Sequence, residues 1–246
     1  MDDDKDADGP VVFLTAMPLE LKPFTKRLDL TLTSLGGLPA HTGTLDGRPV
    51  VAAVTGIGTA LAASTTERVI AAVAPSRIVM VGIAGAVDDE TPIGAVVVPE
   101  RVVDAASGRS HTPARLPGRP PHGALWTTDT ITTAPDLPAL RADGVVALDM
   151  ETSAVAAVCE REGVPWSSVR AISDRATDGS VDDAVLHLSR SDGTPDLGAA
   201  LRYVLRHPGR VPTLVRLGRG STLAATRAAD AAIAAVRGDQ AGRRPT

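Results

Sequence analysis

Residues 145–174 read VVALDMETSAVAAVCEREGVPWSSVRAISD. Val145–Leu148 and Ser167–Ile172 are short apolar runs that suit strands. Between them, Thr152–Glu162 carries apolar residues at helical spacing, with Cys159 on the face that would be buried. The stretch is a strand, a helix and a strand. The same alternation runs outward in both directions. Further strands are expected at Val11–Thr15, Val50–Val54, Ile78–Val81 and Ala95–Val98. Helices are expected at Leu19–Leu28, Thr59–Val73, Leu197–Arg206 and Leu223–Val236. Several runs are apolar throughout, as when helices cover both faces of a sheet. The pattern is that of an α/β domain with a largely parallel sheet. Leu38–Leu45 and Val50–Val54 flank Asp46-Gly47, a hairpin signal. Ser107–Gly123 is rich in proline, glycine, arginine and histidine and reads as an exposed loop.

Composition bounds the function. A chain of 246 residues with 43% hydrophobic residues can bury a full core without staples. Its single cysteine, Cys159, excludes a disulfide framework and a multi-cysteine zinc site. A net charge of −4 and five aromatic residues argue against nucleic-acid binding, which needs a basic face or stacking platforms. No apolar run approaches the ~18 residues of a membrane span. The acidic start, MDDDKDADGP, is the reverse of a signal peptide. The reading is a cytoplasmic protein with one domain at residues 10–237, a disordered acidic N-terminus at 1–9 and a disordered tail at 238–246.

Three strand ends deliver acids. Glu20 follows the first strand, Asp149 and Glu151 follow Val145–Leu148, and Asp174 follows Ser167–Ile172. Ligands of open α/β sheets bind beyond the carboxyl ends of the strands, so the convergence points to chemistry. Each acid alone has a plainer use. Glu20 suits a solvated helix, Asp149 or Glu151 a helix N-terminus, and Asp174 a turn. Gly56-Ile57-Gly58 and Gly82-Ile83-Ala84-Gly85 follow strands without the spacing of a dinucleotide fingerprint or a P-loop. The second would let a ligand approach the backbone, or simply turn the chain. His111 and His122 have no spaced partners, so no metal site is expected. Ser153 and Cys159 lack a nearby base, and Cys159 reads as core.

The string Met150-Glu151, followed by Arg170-Ala171-Ile172-Ser173-Asp174, resembles the nucleoside phosphorylase and nucleosidase superfamily. So do the opening TAMPLELKPF and the two glycine turns. The likeness covers about Val11 to Ala176 and is greatest to the methylthioadenosine/S-adenosylhomocysteine nucleosidases. It implies a three-layer α/β/α domain with a mixed twisted central sheet. It implies hydrolysis of the N-glycosidic bond of a purine nucleoside, a 5′-modified adenosine, without metal or organic cofactor. By the resemblance, Asp174 protonates adenine N7, Glu20 activates water and Arg170 helps place it. Glu151 holds the ribose hydroxyls over Met150, and Ser173 supports the base site. Ile83 and Gly85 line the pocket, and Ile131 and Thr132 meet the base. The partners implied are the nucleoside itself and a second copy in a homodimer.

Departures from the pattern shape the expectation. Met80 and Ile83 stand where phosphorolytic members carry phosphate-binding side chains, and a phosphate needs charged or donor groups. Hydrolysis is therefore expected. Ile131 stands where many nucleosidases stack a phenylalanine. Pro99–Thr128 is short for these enzymes and implies an open 5′ end. The tail at residues 192–221 is similar to that of the hopanoid-associated nucleosidases, which act on adenosylhopane; its plainer reading is an amphipathic helix and an arginine-rich connector. A catalytically weak nucleoside-binding protein on the same fold is the alternative from another class.

Overall fold

The computed structural model describes residues 9–130, 132, 134–176, 209 and 211–242. Its eleven strands form one mixed sheet in the order β2-β3-β4-β1-β5-β10-β9-β7-β8, with β11 beside β5 and β6 beside β11. The strands are β1 Val11–Thr15, β2 Thr31–Leu35, β3 Leu38–Leu45, β4 Arg48–Val54, β5 Arg77–Ala86, β6 Val96–Val97, β7 Arg101–Asp104, β8 Ser110–His111, β9 Ala124–Thr127, β10 Val145–Asp149 and β11 Trp166–Arg175. The helices are α1 Pro18–Arg27, α2 Thr59–Val73, α3 Leu137–Ala142, α4 Thr152–Glu162 and α5 Val211–Gly242.

The layers follow from the two-residue period of the central strands. Val11 and Phe13 of β1, Val79 and Val81 of β5, and Val169 and Ala171 of β11 face α1 and α5 in one core cluster. Val12, Leu14, Ile78, Met80 and Ile172 face α2 and α4 in another. Phe13 and Phe24 anchor the first layer with ring centroids 4.7 Å apart, a tilted pair worth ~1 kcal/mol beyond its burial. In α5, Ala224, Ala228, Ala229 and Ala232 are buried, so the helix backbone lies close to the sheet. The result is the expected three-layer α/β/α arrangement.

The expected hairpin is present. Asp46 and Gly47 have φ of 50° and 86°, the two positive values that a type I′ turn needs. Gly36-Gly37 makes a second such turn, and with it the unforeseen strand β2.

Two expectations are corrected. The reading of Ser107–Gly123 as wholly exposed fails at β8, where His111 is buried and its Nδ1 lies 2.8 Å from Glu160 Oε2 of α4. The partner arrives from 49 residues away in sequence. The last helix was expected at Leu223–Val236 but spans Val211–Gly242. Residues 238–242, assigned to a disordered tail, are helical, as is the supposed connector 211–221. Gly220 is needed within the helix: a Cβ there would lie 2.5 Å from the Ser173 carbonyl oxygen. The middle of the segment 99–128 docks on β11. Ala114 N–H donates to the Trp166 carbonyl at 2.7 Å, and Ser167 Oγ donates to the Ala114 carbonyl at 2.8 Å. Trp166 and Asp174 are opposite ends of β11, about 25 Å apart at ~3.3 Å per residue. Ala114 thus sits at the Trp166 end of β11, while Thr127, near the end of the same segment, bonds to Asp149. The expected helix Leu197–Arg206 and residues 1–8 lie outside the described residues.

Candidate active site

Arg170 is the centre of the constellation. It lies mid-strand in β11 opposite Gly82 of β5 and is fully buried. A buried guanidinium must be paired to be tolerated. Its Nη2 donates to Asp149 Oδ2, to Thr152 Oγ1 at 2.7 Å and to Glu151 Oε2 at 3.5 Å. Its Nη1 lies 3.4 Å from the Ile83 carbonyl oxygen.

The acids reach Arg170 because β10 runs antiparallel to β5. Ala147 pairs with Ala86 and Leu148 with Gly85, so the end of β10 turns back over the middle of β5. Asp149 sits at that end. Its Oδ1 accepts from Thr127 Oγ1 at 2.6 Å, and Thr127 Oγ1 in turn accepts from the Ser153 N–H at 3.1 Å. Asp149 Oδ2 also accepts the Thr152 N–H at 3.2 Å. Asp149 therefore serves the helix start, as its sequence position allowed, and clamps Arg170 as well. Met150, half-buried, makes the turn from Asp149 to Glu151.

Glu151 occupies the N-cap position of α4. Its Oε1 accepts the Gly58 N–H at 3.1 Å. Burial pushes its carboxyl up to about 8; Arg170 opposes the rise, and the Asp149 and Glu20 charges add to it.

Glu20 is 2% exposed, which excludes a solvated helix position. Pro18 opens α1, and Glu20 lies in the first turn, where an acid is favoured. Its Oε2 accepts the Met17 N–H at 2.8 Å and its Oε1 the Ile83 N–H at 2.7 Å. Burial raises its pKa above the usual carboxylate value, against the pull of Arg170 and these N–H groups. Gly82 makes room for the meeting of Glu20 and Arg170, because a Cβ there would collide with Glu20 Oε1 and Arg170 Nη1.

Asp174 lies four residues beyond Arg170, about 13 Å along the strand. Ile172 pairs with Ala84 and Asp174 with Gly85, so Ser173 is an inserted residue. Bulges re-aim side chains beside active sites. Ser173 Oγ donates to Asp174 Oδ1 and lies 3.4 Å from the Ala84 carbonyl oxygen. Gly85 faces this carboxylate: a Cβ there would stand 3.5 Å from Asp174 Oδ2. Asp174 is only half-buried, unlike the four groups around Arg170.

The structure thus brings together Glu20, Arg170, Glu151 and Ile83, the last through its main chain. Asp174, Ser173 and Gly85 form a neighbouring group on the same two strands. Thr132 is half-buried in the segment after β9, and Ile131 lies outside the described residues. Sequence reasoning counted Asp149 among the strand-end acids and Gly82 in a glycine turn, but gave neither a defined role and did not single out Thr127 or Thr152. The strand-end position of Asp149 and the apolar neighbours of Arg170 were the available signals. Among the described residues no cluster of three or more His, Cys, Asp or Glu could hold a metal ion.

The profile of the Phosphorylase superfamily matches residues 10–123 and 114–206. A 5′-methylthioadenosine/S-adenosylhomocysteine nucleosidase of Marinomonas sp. is 27% identical over 179 residues, which are 60% of this chain and 78% of that protein. The enzyme of the same name from Bacillus cytotoxicus is 26% identical over 217 residues, 72% of this chain and 94% of that one. Two solved structures share the fold. The Neisseria meningitidis 5′-methylthioadenosine/S-adenosylhomocysteine nucleosidase in complex with methylthio-immucillin-A has a TM-score of 0.70 at 19% identity, covering 93% of this chain and 99% of its own. The futalosine hydrolase of Helicobacter pylori has a TM-score of 0.71 at 18% identity, covering 94% and 98%.

Proposed function

This chain belongs to the phosphorylase superfamily, and from that premise we propose that it hydrolyses the N-glycosidic bond of a 5′-modified adenosine and releases adenine. The observation that carries the reading is one strand, β11, with two groups of opposite duty. Arg170 is buried against Glu151 and beside Glu20, and Asp174 stands on a bulge four residues on. That separation fits a sugar at the first group and its base at the second.

The chemistry follows from the charges. The C1′–N9 bond breaks with its electron pair going to adenine, while Asp174 gives a proton to N7, so the base leaves neutral. Ser173 steadies the Asp174 carboxyl. The sugar becomes cationic, as in glycoside hydrolysis. Glu20, Asp149 and Glu151 surround a single guanidinium, and fixed anions in a water-excluding site stabilise a developing cation. Glu20 is held at both oxygens by N–H groups and can take a proton from water as its oxygen adds to C1′. Glu151, once ionised, accepts from the ribose hydroxyls, with Met150 beneath the ring and Thr132 toward the base.

Water rather than phosphate is the proposed nucleophile. Met80 is fully buried in the core, and Ile83 offers no side-chain donor. Arg170 is already engaged by two carboxylates. The relatives named as nucleosidases support the same reading. The proposal takes residues 10–237 as one catalytic domain, because every described strand joins one sheet. It takes the working state as a cytoplasmic homodimer on the family likeness; light scattering after gel filtration measures the mass. Among the described residues no helix is long and apolar enough to cross a membrane.

Base release by chromatography tests the proposal. Methylthioadenosine, S-adenosylhomocysteine, adenosine, inosine and a long-chain 5′-substituted adenosine are each supplied with and without phosphate. Adenine release independent of phosphate is expected. A phosphate requirement overturns the choice of nucleophile, and tight binding without release overturns hydrolysis in favour of a nucleoside sensor.

Glu151→Gln is expected to weaken the preference for ribosides over 2′-deoxyribosides and to slow turnover; unchanged discrimination would remove Glu151 from the sugar. The same variant has a stability signature. The Glu151 carboxyl ionises near the ordinary glutamate value of 4.5 when unfolded, and burial pushes it up to about 8 in the native chain. Between those values the native state holds the extra proton, so stability falls as pH rises. The loss is complete above about 8 and amounts to a few kcal/mol at most. Thermal melts at pH 5 and pH 8.5 are expected to differ less for Glu151→Gln than for the wild type.

A further inference from the structure

The N-terminus of α2 has no cap of its own. Its N-cap is Gly58, its first turn holds no acid, and no side chain of the cap bonds to it. The orphan N–H groups of a helix start need acceptors. Here two carboxylates from distant segments supply them. Gly58 N–H donates to Glu151 Oε1 at 3.1 Å. Thr59 N–H donates to Asp129 Oδ1 at 2.9 Å, and Thr59 Oγ1 donates to Asp129 Oδ2 at 2.5 Å. Asp129 lies 70 residues from Thr59 in sequence. It belongs to the segment that follows β9 and leads to Thr132.

We propose that Asp129 is a positioning residue that locks residues 128–130, which precede the residues read as base-facing, to the same helix end that holds Glu151. Two adjacent amides thereby fix the spacing between the base edge and the sugar carboxylate. The bidentate grip matters, because Thr59 presents its amide and its hydroxyl to one carboxylate and so sets the segment's orientation as well as its distance. Thr128 Oγ1 receives the Thr130 N–H at 3.2 Å and closes the segment's own turn. Asp129 is then its described side-chain tie to α2. Asp129 touches no reacting atom; it acts through the segment and through Glu151. A helix cap alone would stabilise the fold without altering how a nucleoside is held.

The inference rests on the nucleosidase reading for its consequence, and the test separates the two. Asp129→Ala, Asp129→Asn and the wild type are compared by hydrogen exchange and by steady-state kinetics on the best substrate of the panel above. Exchange needs no substrate. In Asp129→Ala the amides of Thr59 and of residues 128–130 are expected to exchange at least tenfold faster, with α4 unchanged. KM is expected to rise about tenfold and kcat to fall less, with a weaker preference for ribosides over 2′-deoxyribosides. Asp129→Asn keeps an acceptor for the Thr59 N–H and is expected to recover most of the KM. Unchanged exchange at 128–130 overturns the lock. Faster exchange with unaltered KM and riboside preference reduces Asp129 to a helix cap and overturns its positioning role. A wild type that releases no base from any nucleoside overturns the proposed function, while the exchange result still decides the lock.

Discussion

Arg170→Met is expected to abolish base release and to destabilise the protein by about 3–5 kcal/mol at pH 8, the scale for removing one partner of a buried ion pair. The side chain lies at the centre of three buried carboxylates: Asp149, Glu151 and Glu20. With Arg170 present, burial raises the Glu151 and Glu20 carboxyls and the guanidinium holds them down. Methionine matches much of the volume but removes the only cation among the groups named. The remaining carboxyls must then take up protons or stay apart. Taking up protons is easy at low pH and hard at high pH. The penalty should therefore shrink toward pH 5, where protonation neutralises the cluster, and grow toward pH 8. Denaturant melts at the two pH values measure it. A loss of stability equal at both would show that packing, not charge, is what Arg170 supplies. The catalytic loss has a separate origin. Without Arg170 the Glu151 carboxyl is anchored only by the Gly58 N–H among its described partners, and the Asp149 clamp has nothing to hold.

The parts of the fold and of the site that sequence disclosed are those where local chemistry repeats a rule. Asp46-Gly47 gave its turn because two residues with positive φ must sit between paired strands. Glu20 stood out because an acid in the first turn after a strand points toward the sheet edge. Glu151 and Asp174 followed from strand ends in the same way. What stayed hidden depends on the spatial order of strands. Nothing in Val145–Asp149 reveals that β10 pairs antiparallel with β5, yet that pairing carries Asp149 back to Arg170. Arg170 itself is the one cation between Trp166 and Asp174, and its acceptors, Asp149, Glu151, Thr152 and the Ile83 carbonyl, come from other segments. His111 was assigned to an exposed loop because its composition is that of a loop, while its burial depends on Glu160 from α4. Residues 211–221 looked like a connector because they are arginine-rich, and their two glycines do lower helix propensity. Packing against Ser173 overrides that preference, since Gly220 lets the helix backbone close on the bulge.

Asp174→Asn is expected to lower kcat by on the order of 10²-fold or more, the scale of general acid catalysis, with little change in melting temperature. The reason for the small structural cost is position. Asp174 is half-buried at the end of β11, and an amide oxygen can still accept from Ser173 Oγ as Oδ1 does now. What the amide cannot do is deliver a proton to N7. The leaving base would depart as an anion, and the barrier rises accordingly. The bulge makes the residue specific to this duty. Removing Ser173 from the count would shift the register by one and turn Asp174 to the other face of the sheet. A nucleoside whose base leaves readily without protonation provides the control. The variant should retain much more of its rate on such a substrate than on adenosine derivatives. Equal losses on both would mean that Asp174 binds the base without protonating it. Wild-type turnover on adenosine derivatives would remove Asp174 from the chemistry and leave the charge cluster around Arg170 to explain bond breaking alone.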